Sequence, residues 1–220
     1  MNMNRAIEYP AVVFSPHWGS AFCQAVKRLI DLFAAALLSI LLSPLFLFLA
    51  VAVKLGSPGA VLYRWRVVGK SGRPFVGYKF RSMVENADDL KEGLEAANEM
   101  TGPVFKLTAD PRITRAGRWM RRYSLDELPQ LYSVLKGDMS LVGPRPPLFT
   151  EYLRFTDFQK QKLRVKPGIT CLWQVQGRNR VRDFDAWVRL DLEYIRRWSL
   201  GLDISILFRT MLAVFEGSGK

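Results

Sequence analysis

The chain predicts a membrane-associated α+β protein: a broken apolar helix near its start, then a mostly helical domain with a small β-hairpin and amphipathic interface helices. Three observations carry that class. Leu32 to Val53 is an almost unbroken apolar run, closed off by Asp31 and Lys54. Strand-like segments flank turn residues between Val61 and Phe80. Further on, apolar and aromatic residues recur at helical spacing among many arginines.

The apolar run is about 22 residues, long enough at roughly 1.5 Å per residue to cross a bilayer core. Ser43 and Pro44 interrupt it at its midpoint, where proline removes a backbone hydrogen bond and clashes with the carbonyl of Ile40. The Ser43 hydroxyl can satisfy a carbonyl freed in this way. Lys27 and Arg28 precede the run, and Lys54, Arg64, Arg66, Lys70, Arg73, Lys79 and Arg81 follow it before any acid. Basic flanks mark a cytoplasmic side, and here both flanks are basic. Two arrangements fit equally: a helix-break-helix hairpin that returns to its own side, and a proline-kinked helix that spans fully. The run is too long for a signal-peptide core and lacks a good cleavage site after Lys54, so it is expected to stay attached.

A length of 220 residues allows one ordinary domain beside the membrane segment, divided as lead-in 1–26, membrane helix 27–55 and domain 56–220. Hydrophobic content of 49% excludes disorder. The net charge of +12 calls for an anionic partner. An apolar run beside a basic stretch favours lipid headgroups, and the lack of a basic-aromatic nucleic-acid motif speaks against nucleic acid. Cys23 and Cys171 lie in no metal or redox spacing, which suits a reducing compartment. His17, the only histidine, reads as a surface residue in an irregular lead-in.

Val61 to Val68 and Phe75 to Phe80 form an expected hairpin about the Lys70–Arg73 turn, its basic residues guarding an edge. Val84 to Met100, rich in acids, reads as a solvated helix, and Arg112 to Arg122 as a basic one. Ser124-Leu125-Asp126-Glu127-Leu128-Pro129 has two readings. Ser124 and Glu127 have capping-box spacing, although Pro129 fits that poorly. Alternatively Asp126 and Glu127 are a functional carboxylate pair, which needs cationic neighbours such as Arg115, Arg118, Arg121 and Arg122, or a metal ion. Gln130 to Leu135 is a short helix ended by Gly137; the proline-stiffened Leu141–Pro147 loop then presents Arg145, as a phosphate clamp or as a plain connector. Tyr152 to Val165 reads as a basic helix, Cys171 to Val175 as a strand, and Gly177 to Asn179 as a loop exposing Arg178. Phe184–Trp198 and Leu202–Phe215 are helical by period, with tryptophan and arginine suited to a membrane interface or to an ordinary core face.

From about Lys27 to Val214 the chain resembles the catalytic domain of the monotopic phosphoglycosyl transferases, the bacterial sugar transferase family. The resemblance rests on Ser43-Pro44, Tyr78–Met83, Asp110-Pro111-Arg112, Ser124–Gln130, Leu141–Pro146, Lys166–Thr170, Gln176–Asn179 and Leu190–Tyr194, in that order. It implies a re-entrant membrane hairpin and a catalytic domain on the cytoplasmic face of the bacterial inner membrane. It also implies that Asp126 attacks a UDP-sugar, releasing UMP and leaving a covalent phosphosugar for transfer to undecaprenyl (polyprenyl) phosphate, while Glu127 holds Mg²⁺. Lys79, Arg81, Arg121, Arg145 and Arg178 are the candidate phosphate-binding residues, since a guanidinium fork matches phosphate. Asp191 is a further candidate beside an ordinary helix role. Thr170–Gln174 and Leu192–Ile195 look most like the ends of larger hexose-1-phosphate transferases of exopolysaccharide and O-antigen pathways. Glucose or galactose is the expected sugar, and the chain is a compact member or the catalytic part of a longer protein. A homodimer is left open.

Overall fold

The computed structural model describes residues 20–177 and 181–217. Two helices open it, α1 (Ala21–Leu41) and α2 (Ser43–Gly56), meeting at a bend of 63°. Pro44 falls in the first turn of α2, where its missing N–H leaves nothing unsatisfied. The Ser43 hydroxyl donates to the Ile40 carbonyl at 2.8 Å, the acceptor that Pro44 cannot serve. Among the described residues no single helix is long and apolar enough to cross a membrane; α1 and α2 together are. Helix α1 starts at Ala21, capped by Ser20, so the end of the expected lead-in is helical. His17 lies outside the described residues.

Helix α1 is fastened to the rest of the protein by polar side chains. Lys27 Nζ donates to Asp203 Oδ2 at 2.6 Å and to the Val142 carbonyl at 3.1 Å. The Arg28 guanidinium donates to the carbonyls of Val134 and Leu135, and Asp31 accepts the Leu141 N–H at 3.0 Å. Asp203 also accepts from the Tyr194 hydroxyl and the Trp198 indole, so its buried charge is fully engaged. The two residues read as flanking charges thus act as internal fasteners.

Strands β1 (Leu62–Val68) and β2 (Pro74–Phe80) form the expected antiparallel hairpin, with Trp65 opposite Gly77 and Tyr63 opposite Lys79. The acidic stretch 84–100 is not an α-helix: it is a run of turns and a 3₁₀ segment, Asp89–Ala97, with no buried residue. Gly93 stands in the middle of this segment, and glycine is the poorest helix former after proline. Helix α3 (Arg115–Arg122) begins later than expected because Arg112 forks onto Asp110 and Thr114 supplies the cap. After α4 (Leu131–Lys136), a second sheet pairs β3 (Ser140–Val142) in parallel with β4 (Gly168–Thr170).

The expected single helix over 152–165 is broken into α5 (Phe149–Tyr152), α6 (Asp157–Lys160) and a 3₁₀ turn, Gln161–Arg164. Thr156 and Gln159 make a capping box that restarts the chain there. Residues expected as a strand over 171–175 instead enter α7 (Leu172–Gly177), the strand having ended at Thr170. An apolar run that short does not discriminate helix from strand. Helices α8 (Phe184–Arg196) and α9 (Leu200–Phe215) complete the fold.

The main core gathers Val67, Val134, Met139, Val142, Phe184, Val188 and Ile206. A smaller cluster of Leu49, Val53, Phe80 and Met120 joins α2 to β2 and α3. Replacing Asp203 by alanine would strand the Lys27 ammonium among buried groups. It should lower unfolding free energy by about 3–5 kcal/mol, read as a lower denaturation midpoint in detergent.

Candidate active site

The centre of the site is the 3₁₀ turn Leu125–Gln130 between α3 and α4. Ser124 enters it at φ +54°, in the left-handed region, whereas an N-cap residue needs an extended backbone. Its side chain makes no cap, so the capping-box reading is corrected. Glu127 instead turns toward cations from distant elements. Its Oε1 accepts from Lys79 Nζ at 3.1 Å and from Arg145 Nη1 at 2.9 Å. Asp126 beside it is equally buried and lines the adjoining cleft.

Each cation has a structural reason for its place. Lys79 sits on β2 with its ammonium 3.8 Å from the centre of the Trp65 ring, so the indole supports it from one side. Trp65 can lie there because its cross-strand partner is Gly77; a Cβ at that position would approach the indole nitrogen to 2.3 Å. Burial lowers the Lys79 pKa, and the Glu127 carboxylate pulls against that shift. Arg145 projects from the loop between Pro144 and Pro146. That loop is tied down by hydrogen bonds from Gly143 N to Thr170 O and from Gly168 N to Pro144 O. Gly143 and Gly168 pass so close that a Cβ on Gly168 would stand 2.0 Å from the Gly143 nitrogen. Arg121, at the end of α3, donates Nε to Ser82 Oγ at 2.8 Å, and Asp126 is foremost among the acids whose field it feels.

These four residues, Lys79, Arg121, Asp126 and Arg145, share a cleft of about 360 Å³ that is also lined by Phe105, Phe155, Phe184 and Trp187. Other candidates are placed differently. Arg81 also borders the cleft, but its guanidinium donates to the carbonyls of Ser57 and Pro58, bracing the turn after α2. Arg178 lies outside the described residues. Ser43 and Pro44 lie at the bend of the α1–α2 hairpin. Asp191 is fully buried in α8, 2.6 Å from Lys162 Nζ; burial pushes its pKa up against the pull of that ammonium. It belongs to the cleft only indirectly, through Lys162, which lines it. Lys162, Trp65 and Glu151 escaped the sequence reading. Lys162 is one charge in a basic stretch, Trp65 one residue of an alternating strand, and Glu151 a cap on a four-residue helix.

Among the described residues no group of three or more His, Cys, Asp or Glu is arranged to hold a metal ion. Mg²⁺ asks for less, binding through one or two carboxylates while substrate phosphates and water complete its shell. Asp126 and Glu127, two hard oxygen donors on successive residues, fit that requirement. Neighbouring carboxylates repel, and Lys79, Arg121 and Arg145 offset that repulsion. The arrangement sets two carboxylates within a cationic frame suited to a phosphorylated ligand.

The family model described as bacterial sugar transferase matches residues 22–217. The chain is 43% identical over 211 residues to the galactosyl transferase CpsE of Streptococcus agalactiae serotype III (strain NEM316), covering 96% of this chain and 47% of that protein. It is 44% identical over 198 residues to an undecaprenyl-phosphate galactose phosphotransferase of Salmonella typhimurium, covering 88% of this chain and 41% of the relative. It is 41% identical over 198 residues to the exopolysaccharide production protein ExoY of Rhizobium meliloti, covering 88% of this chain and 87% of the relative. The chain therefore spans less than half of the first two relatives and most of the third.

Glu151 borders the cleft and accepts the Leu148 N–H at 2.9 Å, while burial raises its pKa. A carboxyl whose pKa is raised by folding contributes stability below its unfolded value, about 4.3, and loses it as pH rises through the folded value. Glutamine keeps the acceptor without the charge. Glu151→Gln should therefore melt a few degrees higher than the native protein at neutral pH, a difference that closes on acidification toward pH ~4. Thermal denaturation across pH checks this.

Proposed function

The chain belongs to the bacterial sugar transferase family, and on that premise we propose that it moves a hexose 1-phosphate from a UDP-sugar to undecaprenyl phosphate. An oxygen of the Asp126 carboxylate attacks the β-phosphorus. The bond from that phosphorus to the α-phosphate oxygen breaks, UMP departs, and a phosphosugar remains on Asp126. A phosphate oxygen of the lipid then attacks the same phosphorus, the bond to Asp126 breaks, and the carboxylate is regenerated beside a polyprenyl-diphospho-sugar. Galactose or glucose is the proposed sugar, galactose being the one that two of the relatives are named for. The reaction belongs to the start of exopolysaccharide or O-antigen assembly.

The observation that carries this reading is the Asp126–Glu127 pair enclosed by Lys79, Arg121 and Arg145. Phosphoryl transfer asks little of a protein beyond a nucleophile, in-line positioning and cations opposite the equatorial oxygens. Arg145 and Arg121 orient the diphosphate, and Lys79 fixes the direction of the Glu127 carboxylate. Mg²⁺, held by Glu127 and the diphosphate, would supply Lewis-acid stabilisation of the developing charge. The α1–α2 pair acts as a re-entrant hairpin in the bacterial cytoplasmic membrane, with the catalytic domain on its cytoplasmic face. The 63° bend between two apolar helices supports that topology. It brings the carboxylates to the height of a lipid phosphate.

With purified protein, Mg²⁺ and UDP-sugar but no lipid, UMP should appear as a burst of about one per active site, with an adduct on Asp126 found by mass spectrometry. Asp126→Asn should lower turnover roughly thousandfold or more, and Arg145→Ala about a hundredfold. Ordinary turnover in Asp126→Asn would refute the nucleophile, and steady turnover with no burst or adduct would leave Asp126 a base in direct transfer.

A further inference from the structure

Behind the candidate active turn lies a second concavity, a groove of about 740 Å³ that includes Phe46, Leu47 and Ala50 of α2, Phe80 of β2, and Leu128 and Pro129 of the turn itself. No charged side chain lines it. Leu47 and Tyr132 on its walls are more than half exposed, so no part of the described protein covers them.

Two features connect this groove to the cleft. Leu128 and Pro129 follow Asp126 and Glu127 within one 3₁₀ turn, so the catalytic carboxylates and the groove wall are one rigid piece of backbone. Phe80 lines both cavities and directly follows Lys79, which holds Glu127. Cationic and anionic groups thus stand on one side of Phe80, and a mostly apolar, uncharged groove that reaches the α1–α2 hairpin on the other. That division matches an amphiphile with one anionic end and one apolar chain.

We propose that this groove seats the first isoprene units of the lipid acceptor, with Phe80 as the sill between its phosphate and its tail. The proposal rests on the acceptor being a polyprenyl phosphate. A single branched chain suits one groove fed from one anionic site; a diacyl lipid would leave its second chain without a seat. A tail passing from bilayer to groove exchanges one apolar environment for another, so packing rather than transfer from water sets its preference. The groove therefore contributes a modest affinity and a firm orientation of the phosphate toward Asp126.

The test uses the full chain in lipid nanodiscs with a diazirine-bearing polyprenyl phosphate and, separately, a diazirine phosphatidylglycerol. Photolysis should place isoprenoid adducts on α2 and on 128–132, displaced by unlabelled polyprenyl phosphate and not by phosphatidylglycerol. Ala50→Trp, and independently Leu62→Trp on another part of the wall, should weaken that labelling. Each should raise the acceptor KM about tenfold for undecaprenyl phosphate and much less for geranyl phosphate, which has little tail to seat. Denaturation midpoints near the native value show that either variant has folded. Adducts confined to other surfaces, equal labelling by the diacyl probe, chain-to-chain crosslinks in place of lipid adducts, or equal KM changes for both acceptors would overturn the proposal. Labelling needs no turnover, so selective adducts without UMP release from any UDP-sugar would strike the catalytic reading alone. Normal UMP release without groove adducts would strike this one alone.

Discussion

Two carboxylates on successive residues cannot both be buried and ionised unless positive charge is brought to them, and most of this fold is arranged around that requirement. The cations come from three separate places: β2 for Lys79, the end of α3 for Arg121, and the loop after β3 for Arg145. None is near Asp126 and Glu127 through local sequence alone except Arg121. The hairpin register, the glycine-on-glycine contact of Gly143 with Gly168, and the α3 cap at Thr114 each fix one of the three. Positive charge gathered at such a point also explains part of the basic surplus, since an anionic ligand is attracted before it is recognised.

The attachment of α1 shows the same economy of polar groups at the other end of the molecule. Asp31 and Asp203 are buried acids, and each is engaged by donors from elsewhere in the chain. An apolar helix lying on a domain through side-chain packing alone could slide or rotate. Directional bonds from Lys27 to Asp203 and from Arg28 to the end of α4 remove that freedom. The proposed membrane hairpin and the candidate cleft are therefore held in one frame.

What the sequence disclosed follows from how local each signal is. The Ser43–Pro44 break, the β1–β2 hairpin and the last two helices are written in neighbouring residues, and they appear where the local chemistry puts them. The pairing of Glu127 with Lys79 spans 48 positions, and no local pattern announces it. Ser124 with Glu127 has the spacing of a cap, but the left-handed backbone at Ser124 turns the glutamate into the site instead. Lys27 and Arg28 look like flanking charges because composition cannot distinguish an ammonium in water from one on a buried carboxylate. The acidic stretch 84–100 and the segment 171–175 were misread where propensity or a short apolar run stood in for packing. Asp126 and Glu127 emerged as a pair of interest, but their role came from the resemblance and not from the spacing.

The segment from Lys79 to Ser82 has a different kind of importance from any single side chain in it. Lys79 meets Glu127, Phe80 divides the two cavities, Arg81 braces the turn after α2, and Ser82 receives Arg121. Four consecutive residues thus face four different neighbours, and successive strand residues alternate faces. Inserting or deleting one residue upstream in β2 would turn Lys79 and Phe80 to the wrong faces and displace Arg81 and Ser82, which follow the strand. The strand is a ruler as well as a wall: its length sets the faces that Lys79 and Phe80 present and the point from which the chain leaves for Arg81 and Ser82.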